Sequence, residues 1–240
     1  MRALILAAGR GSRLRPLTDV VPKPLVKVNG HRLIDWQIAA LRRAGVSSFV
    51  INTAHLSQAF ETFPALMAEK GFDVAISQEG RTAEDALESL GGIVHALPLL
   101  KKDGHENEPF LVLAGDVVHD FDLSRLIAKR EEILNGKIDG HIVAVPNPKF
   151  HLKGDMTVRE DATIEPGSGP HTYGCLMVVS PRIFTGLLAV RAKLFPWLWQ
   201  FARSGRLTGE VHEGFWGNIG SEQELAWLAS CEDVCVLAQY

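Results

Sequence analysis

The chain has 240 residues, 46% of them hydrophobic, and a formal net charge of −3. That size and composition fit one sizeable globular core, and the near-neutral balance excludes an electrostatic case for nucleic-acid or membrane binding. No apolar run approaches the ~20 residues that span a bilayer, and Cys175, Cys231 and Cys235 form neither a zinc motif nor a C-x-x-C pair, so reduced thiols in a cytoplasmic protein are expected.

Met1 leads straight into a short apolar run, Ala3 to Ala7, which predicts a buried first strand with no leader before it. The small-residue loop that follows, Ala8 to Ser12, lets backbone N–H groups approach a phosphate. Arg13, Arg15 and Lys23 place cations beside it, and Pro22 and Pro24 are expected to hold Lys23 on an extended, rigid segment. A dinucleotide fingerprint is a poor match, because Leu14 stands where a third glycine would be and Pro16 disturbs any helix. A P-loop also fails, since no Gly-Lys-Ser/Thr closes the loop. A nucleoside triphosphate cradle using arginine and a separate lysine fits better. The plain alternative is a tight surface turn.

Further on, helical spacing over Leu33–Leu41 ends at Gly45, Phe49–Asn52 reads as a strand, and Leu56–Lys70 reads as a second helical stretch disturbed by Pro64. Phe72–Ser77 is a strand, Gly91–Leu97 a helix start, Lys101–Glu108 a polar loop. Phe110–Ala114 is another buried strand, ending at Gly115-Asp116; Leu123–Leu134 is helical and His141–Val145 a strand. Strands alternating with helices predict an α/β protein with a Rossmann-like, mostly parallel sheet flanked by helices. Ligands of such sheets bind at the carboxyl ends of the strands, so the cradle and Asp116 are expected on one edge. From Pro146 the rhythm changes to short β-like pieces, Met156–Arg159 and Thr172–Ser180, then helical stretches near Ile183–Val190, Leu194–Ser204 and Ser221–Ser230. Residues 146–240 are expected as a second lobe packed on residues 1–145 within a single domain. Trp197, Trp199 and Trp227 are expected to pack rather than stack on a ligand.

Gly9-x-Gly11-x-Arg13-Leu14-x-Pro16-Leu17-Thr18 followed by Pro22-Lys23-Pro24-Leu25 resembles the signature of sugar-1-phosphate nucleotidyltransferases, or nucleotide-sugar pyrophosphorylases. Landmarks continue to about Leu228 and are most similar to the N-acetylmuramate-1-phosphate uridylyltransferase branch. The resemblance implies a glycosyltransferase-A-like nucleotidyltransferase fold. It implies transfer of a nucleotidyl group, from UTP, to a sugar-1-phosphate, N-acetylmuramate 1-phosphate, with release of pyrophosphate and with Mg²⁺ as cofactor. Such a reaction must neutralise and align two phosphorylated reactants. The alternatives are another base or acceptor, such as a hexose 1-phosphate or phosphocholine, and a non-catalytic nucleotide- or sugar-binding module. The sequence assigns no oligomeric state.

The resemblance also distributes roles. Arg13 and Lys23 contact phosphates and Asp116 holds the metal, these three being the catalytic set. Leu6, Ala7, Ala8, Gly9, Gly11, Ser12 and Gly115 line the nucleotide. Gln78-Glu79-Gly80 places Glu79 at the uracil N3–H, and Ala86-Leu87-Glu88-Ser89-Leu90-Gly91-Gly92-Ile93 adds Glu88 and Ser89. Asn147, Gly154, the Tyr173-Gly174 turn and Glu210 are assigned to the sugar. The metal Asp of the family's Trp-x-Asp-Val-Gly-Thr is replaced in Trp216-Gly217-Asn218-Ile219-Gly220-Ser221 by Asn218, which keeps an oxygen ligand and loses the charge.

Overall fold

The computed structural model describes residues 1–102 and 104–240. Residue 103, within the polar loop expected from Lys101 to Glu108, lies outside the described residues. In chain order the elements are β1 (Ala3–Leu6), β2 (Lys27–Val28), β3 (His31–Arg32), α1 (Leu33–Arg43), β4 (Ser48–Thr53), α2 (Phe63–Ala68), β5 (Asp73–Gln78) and α3 (Glu88–Leu100). Then come β6 (Phe110–Ala114), β7 (Val117–His119), α4 (Ser124–Ile127), α5 (Arg130–Leu134), β8 (Gly140–Pro146), β9 (Met156–Val158), β10 (Ile164–Pro166) and β11 (His171–Val179). The last are α6 (Trp199–Arg203), β12 (Leu207–Val211), β13 (Trp216–Asn218) and α7 (Glu222–Ser230). No helix among the described residues is long and apolar enough to cross a membrane.

Among the described residues, nine strands form one sheet. β5, β4, β1 and β6 run parallel in that spatial order. β11 pairs antiparallel with β6 and with β8, and β12 lies parallel to β8, so the expected mostly parallel α/β sheet is observed. Ala3, Leu4 and Ile5 of β1 are fully buried, as an unbroken apolar run requires, and Leu6 at its end is partly exposed. Ala3 and Ile5 face a core built with α1, α2, α4 and α5, whereas Leu4 faces α3 and α6. The order turns back between β1 and β6, which makes a crevice at their carboxyl ends, where open α/β sheets bind ligands.

Several local expectations need correction. Leu56–Lys70 is a 3₁₀ turn at Ser57–Phe60 followed by the short α2, because Pro64 is tolerated in a helix's first turn but not later. Leu123–Leu134 splits into α4 and α5. Ile183–Val190 is not helical: after a 3₁₀ turn at Pro181–Phe184 the chain runs as an irregular strap, residues 185–193, begun by Gly186 at φ +79°. Leu207–Val211, not foreseen as a strand, is β12, and its Gly209 lets Ile164 and Ile142 pack at close range. The tryptophans pack as expected: Trp197 stacks on Phe184, Trp199 meets Phe195, and Trp227 stacks on Phe215. The three cysteines are free thiols.

Candidate active site

Everything at the site follows from the pairing of β1 with β6, which sets Leu6 beside Ala114. The loop after β1 and the Gly115-Asp116 step after β6 therefore leave the sheet side by side. The Gly115 N–H donates to the Leu6 carbonyl at 2.9 Å, and a Cβ on Gly115 would come within 3.3 Å of Leu6, Ile5 and Pro24 together. A side chain there would push these neighbours apart by a few tenths of an ångström, which glycine avoids.

The cradle is built by its own motif residues. Gly11 has φ +66° and is wedged between Thr18 and Lys23, whose carbons would lie 3.0 and 3.1 Å from an added Cβ. The Thr18 hydroxyl donates to the Gly11 carbonyl at 2.9 Å. Lys23 sits in a 3₁₀ turn, Lys23–Leu25, not on an extended segment, because Pro24 starts the turn well. Its ammonium is nearly buried and pairs with the Asp116 carboxylate, 93 residues away in sequence. Asp116 does not cap a helix; it enters β7.

β7 and β13 form a two-stranded antiparallel ribbon, with Asn218 opposite Val117. The Ile219 N–H donates to the Asp116 carbonyl at 2.9 Å, so Asn218 and Asp116 are neighbours. The Asn218 Oδ1 is buried and has no hydrogen-bond partner among the described residues. A buried orphan oxygen beside a carboxylate is costly unless something binds it, and two protein oxygens are a normal protein share for a Mg²⁺-type cation that completes its shell with phosphate and water. The residues present thus fit a divalent cation. Arg13 is exposed, and its guanidinium lies against the turn after Asn218, where a Cβ on Gly220 would come 2.5 Å from Nη2.

A cavity of about 390 Å³ opens over this crevice, lined by Leu6, Ala8, Gly9, Gly11, Ser12, Glu88, Ser89 and Asp116 of the expected set. It is also lined by Arg10, Asn52 and Arg191, which the motif reading did not single out. Arg10 is held at the rim by Asp19, Thr18 and His55. Arg191 is brought by the 185–193 strap. The Ala192 carbonyl accepts from Leu90 and Gly91 N–H at 2.9 and 3.2 Å, and Ala192 N–H donates to the Leu87 carbonyl at 3.0 Å. The strap thus satisfies the start of α3, and Ser89 Oγ accepts from Leu194 N–H at 2.9 Å. Glu88, the first residue of α3, holds φ +60°, a strained conformation for a side chain of its size.

Glu79 departs from expectation. It does not line the cavity; one oxygen accepts from Asn52 Nδ2 at 2.6 Å and the other from Leu87 N–H at 2.7 Å. Burial raises its pKa, and these two donors partly oppose that. Asn52 Oδ1 in turn accepts from Ala7 N–H at 2.7 Å, so Glu79 braces the cradle from behind. A lone sequence cannot tell such a brace from a ligand contact, since both need a carboxylate.

The sugar-side residues also diverge. Asn147 is an internal latch, donating to the Gly169 carbonyl at 2.7 Å and accepting from Thr172 Oγ1 at 2.9 Å, with Gly154 (φ +61°) packed against it. Tyr173-Gly174 is not a turn before a strand but lies inside β11, beside a bulge at Cys175 with φ +62°. The Trp216 indole donates to the Gly174 carbonyl at 2.9 Å, tying this bulge to β13 and so to Asn218. Burial, then the nearby Asp116 and Asp155 carboxylates, push the Cys175 thiol up to about 12. Glu210 does not reach the cradle. It pairs with Arg125 and with His141 at 3.3 Å and lines a separate cavity of about 650 Å³ along β12.

The sequence profile of the nucleotidyl transferase family matches residues 2–160. The chain is 37% identical over 225 residues to N-acetylmuramate alpha-1-phosphate uridylyltransferase of Neisseria meningitidis serogroup B, covering 92% of this chain and 94% of that protein. It is 29% identical to the protein of the same name from Caulobacter vibrioides, over 92% of each chain. Mannose-1-phosphate guanyltransferase of Neurospora crassa is also 29% identical, over 93% of this chain and 62% of that protein. Among solved structures, a Bacillus anthracis chain assigned as a glucose-1-phosphate thymidylyltransferase superposes with a TM-score of 0.78 at 18% identity, over 96% of this chain and 94% of that one. That likeness establishes the shared fold.

Proposed function

The chain belongs to the nucleotidyl transferase family, and from that premise we propose that it transfers a uridylyl group from UTP to N-acetylmuramate 1-phosphate, releasing pyrophosphate. The sugar-1-phosphate nucleotidyltransferase class is common to the relatives named above; the base and acceptor follow the two uridylyltransferases among them. The observation that carries the reading is the convergence of the cradle loop and Asp116 on one cavity at the β1–β6 crevice, with Lys23 paired to Asp116 from behind the lining.

In this reading a phosphate oxygen of the sugar-1-phosphate bonds to the α-phosphorus of UTP, and the bond from that phosphorus to the β-phosphate bridging oxygen breaks. Amides of Ala8 to Ser12 cradle the triphosphate. Arg13, free of any hydrogen bond or ion pair among the described residues and lying by the turn after Asn218, and Arg191, on the cavity wall, meet the phosphate charge. Lys23 serves as a nearly buried point charge beside the transferred phosphoryl group. Mg²⁺, held by Asp116 and Asn218, would neutralise charge across the phosphates. The strap and α3 enclose the base side and limit water access.

The test is pyrophosphate release by the purified chain with Mg²⁺, across four nucleoside triphosphates and a panel of sugar-1-phosphates. Release that needs both UTP and N-acetylmuramate 1-phosphate supports the proposal. A different best pair replaces base or acceptor, and no release from any pair in folded protein refutes catalysis.

A further inference from the structure

Asp116 and Asn218 stand on the β7–β13 ribbon, not on the nine-stranded sheet. Backbone bonds close the ribbon at both ends, Ile219 N–H to the Asp116 carbonyl and Asp120 N–H to the Phe215 carbonyl at 3.1 Å. Val118 and Ile219 press it against Leu33 and Trp36 of α1. Apolar contact is non-directional and does not by itself set where the ribbon stops sliding.

The directional contact is Gln37. It is fully buried on α1, close in sequence to core residues Ile34, Ile38 and Leu41. Its Nε2 donates to the Val117 carbonyl at 2.8 Å, and its Oε1 lies 3.1 Å from His119 Nε2. An amide oxygen only accepts, so His119 Nε2 carries the hydrogen. One side chain therefore grips alternate residues of β7. The first of them, Val117, follows Asp116 in sequence and faces Asn218 across the ribbon. A buried amide among apolar residues is costly unless both ends are used, and here both are.

We infer that Gln37, together with His119, is a positioning residue that sets the relation of Asp116 to Asn218 and thereby the affinity of this site for a divalent cation. This rests on the reading of Asp116 and Asn218 as the cation's ligands.

The test is Mn²⁺ binding to the purified full chain, followed by electron paramagnetic resonance without substrates, alongside thermal melts. Gln37→Met keeps length and bulk and removes both hydrogen bonds; the Mn²⁺ dissociation constant is expected to rise ~10-fold or more, as for other supports of metal ligands. Ile133→Val, a core change on α5, is expected to lower the melting point and leave Mn²⁺ affinity unchanged. Gln37→Glu, whose buried carboxyl stays protonated and can make both bonds, is expected to restore affinity towards that of the parent. If Gln37→Met does not fold, His119→Met, which removes one bond, is read in the same way. An unchanged dissociation constant in the folded variant overturns the inference. Mn²⁺ binding indifferent to Asp116→Asn overturns the ligand assignment beneath it, a failure visible in a different variant.

Discussion

Lys23 shows how one residue can serve packing and charge neutralisation at once. Its stem supports Gly11 while its ammonium neutralises Asp116. Lys23→Met keeps the stem and removes the charge, so kcat/KM is expected to fall by roughly 10²–10³, measured as pyrophosphate release, while the fold survives in a circular dichroism melt. Glu88 is the opposite case, a residue whose backbone is strained where its side chain lines the cavity. Glu88→Gly removes about 1 kcal/mol of left-handed strain and is expected to raise Tm by ~2–4 °C in a chain of this size. Weaker nucleotide binding by calorimetry is expected from the same variant. A variant that is less stable, or as tight, would show that the strain serves no site function.

Among the elements, the 185–193 strap decides how the cavity is walled. Gly91 is the position that lets it pass, because a Cβ there would collide with the Val190 carbonyl. Gly91→Ala is expected to cost about 1–3 kcal/mol by overpacking and to raise KM for the triphosphate as Arg191 moves away, with kcat less affected; urea unfolding and steady-state kinetics check both. The strap also marks where sequence reasoning reached its limit. Unbroken apolar runs, the glycine-rich turn and the Gly115-Asp116 step announce themselves because burial and close approach permit few residue types. They located the parallel strands and the crevice at which the loop after β1 and Asp116 leave the sheet side by side. The strap's spacing suggests a helix that does not form, and neither the pairing of β12 nor the Gln37 grip is marked by a period. They depend on partners distant in sequence, and so Arg191 and Asn52 went unmarked while Glu79, Asn147 and Glu210 were assigned to a ligand when their polar groups already meet other parts of the chain.

For the whole molecule, one carboxylate fastens the far end of the sheet. Asp139 accepts from Arg182 Nε at 2.8 Å and from Arg206 Nη2 and Nε at 2.9 Å, joining the ends of β8, β11 and β12. Burial raises its pKa, but the hydrogen bonds and charges of the two arginines outweigh that and hold it below 3.8. A depressed carboxyl contributes stability that is present above its unfolded value and lost as pH falls through the folded one. Acid unfolding of the parent is thus expected to steepen below about pH 3.8, and Asp139→Asn to lose about 2 kcal/mol at neutral pH and to flatten that part of the curve. The long strand β11 has a mechanical consequence. It bonds to β8 from His171 to Val179, to β9 at His171 and to β6 from Leu176 onward. A beam riveted into both halves of the chain leaves no hinge between them, so substrate is expected to be enclosed by local loop movement. The radius of gyration from small-angle X-ray scattering should stay constant when UTP is added, and a contraction would mean that the beam bends.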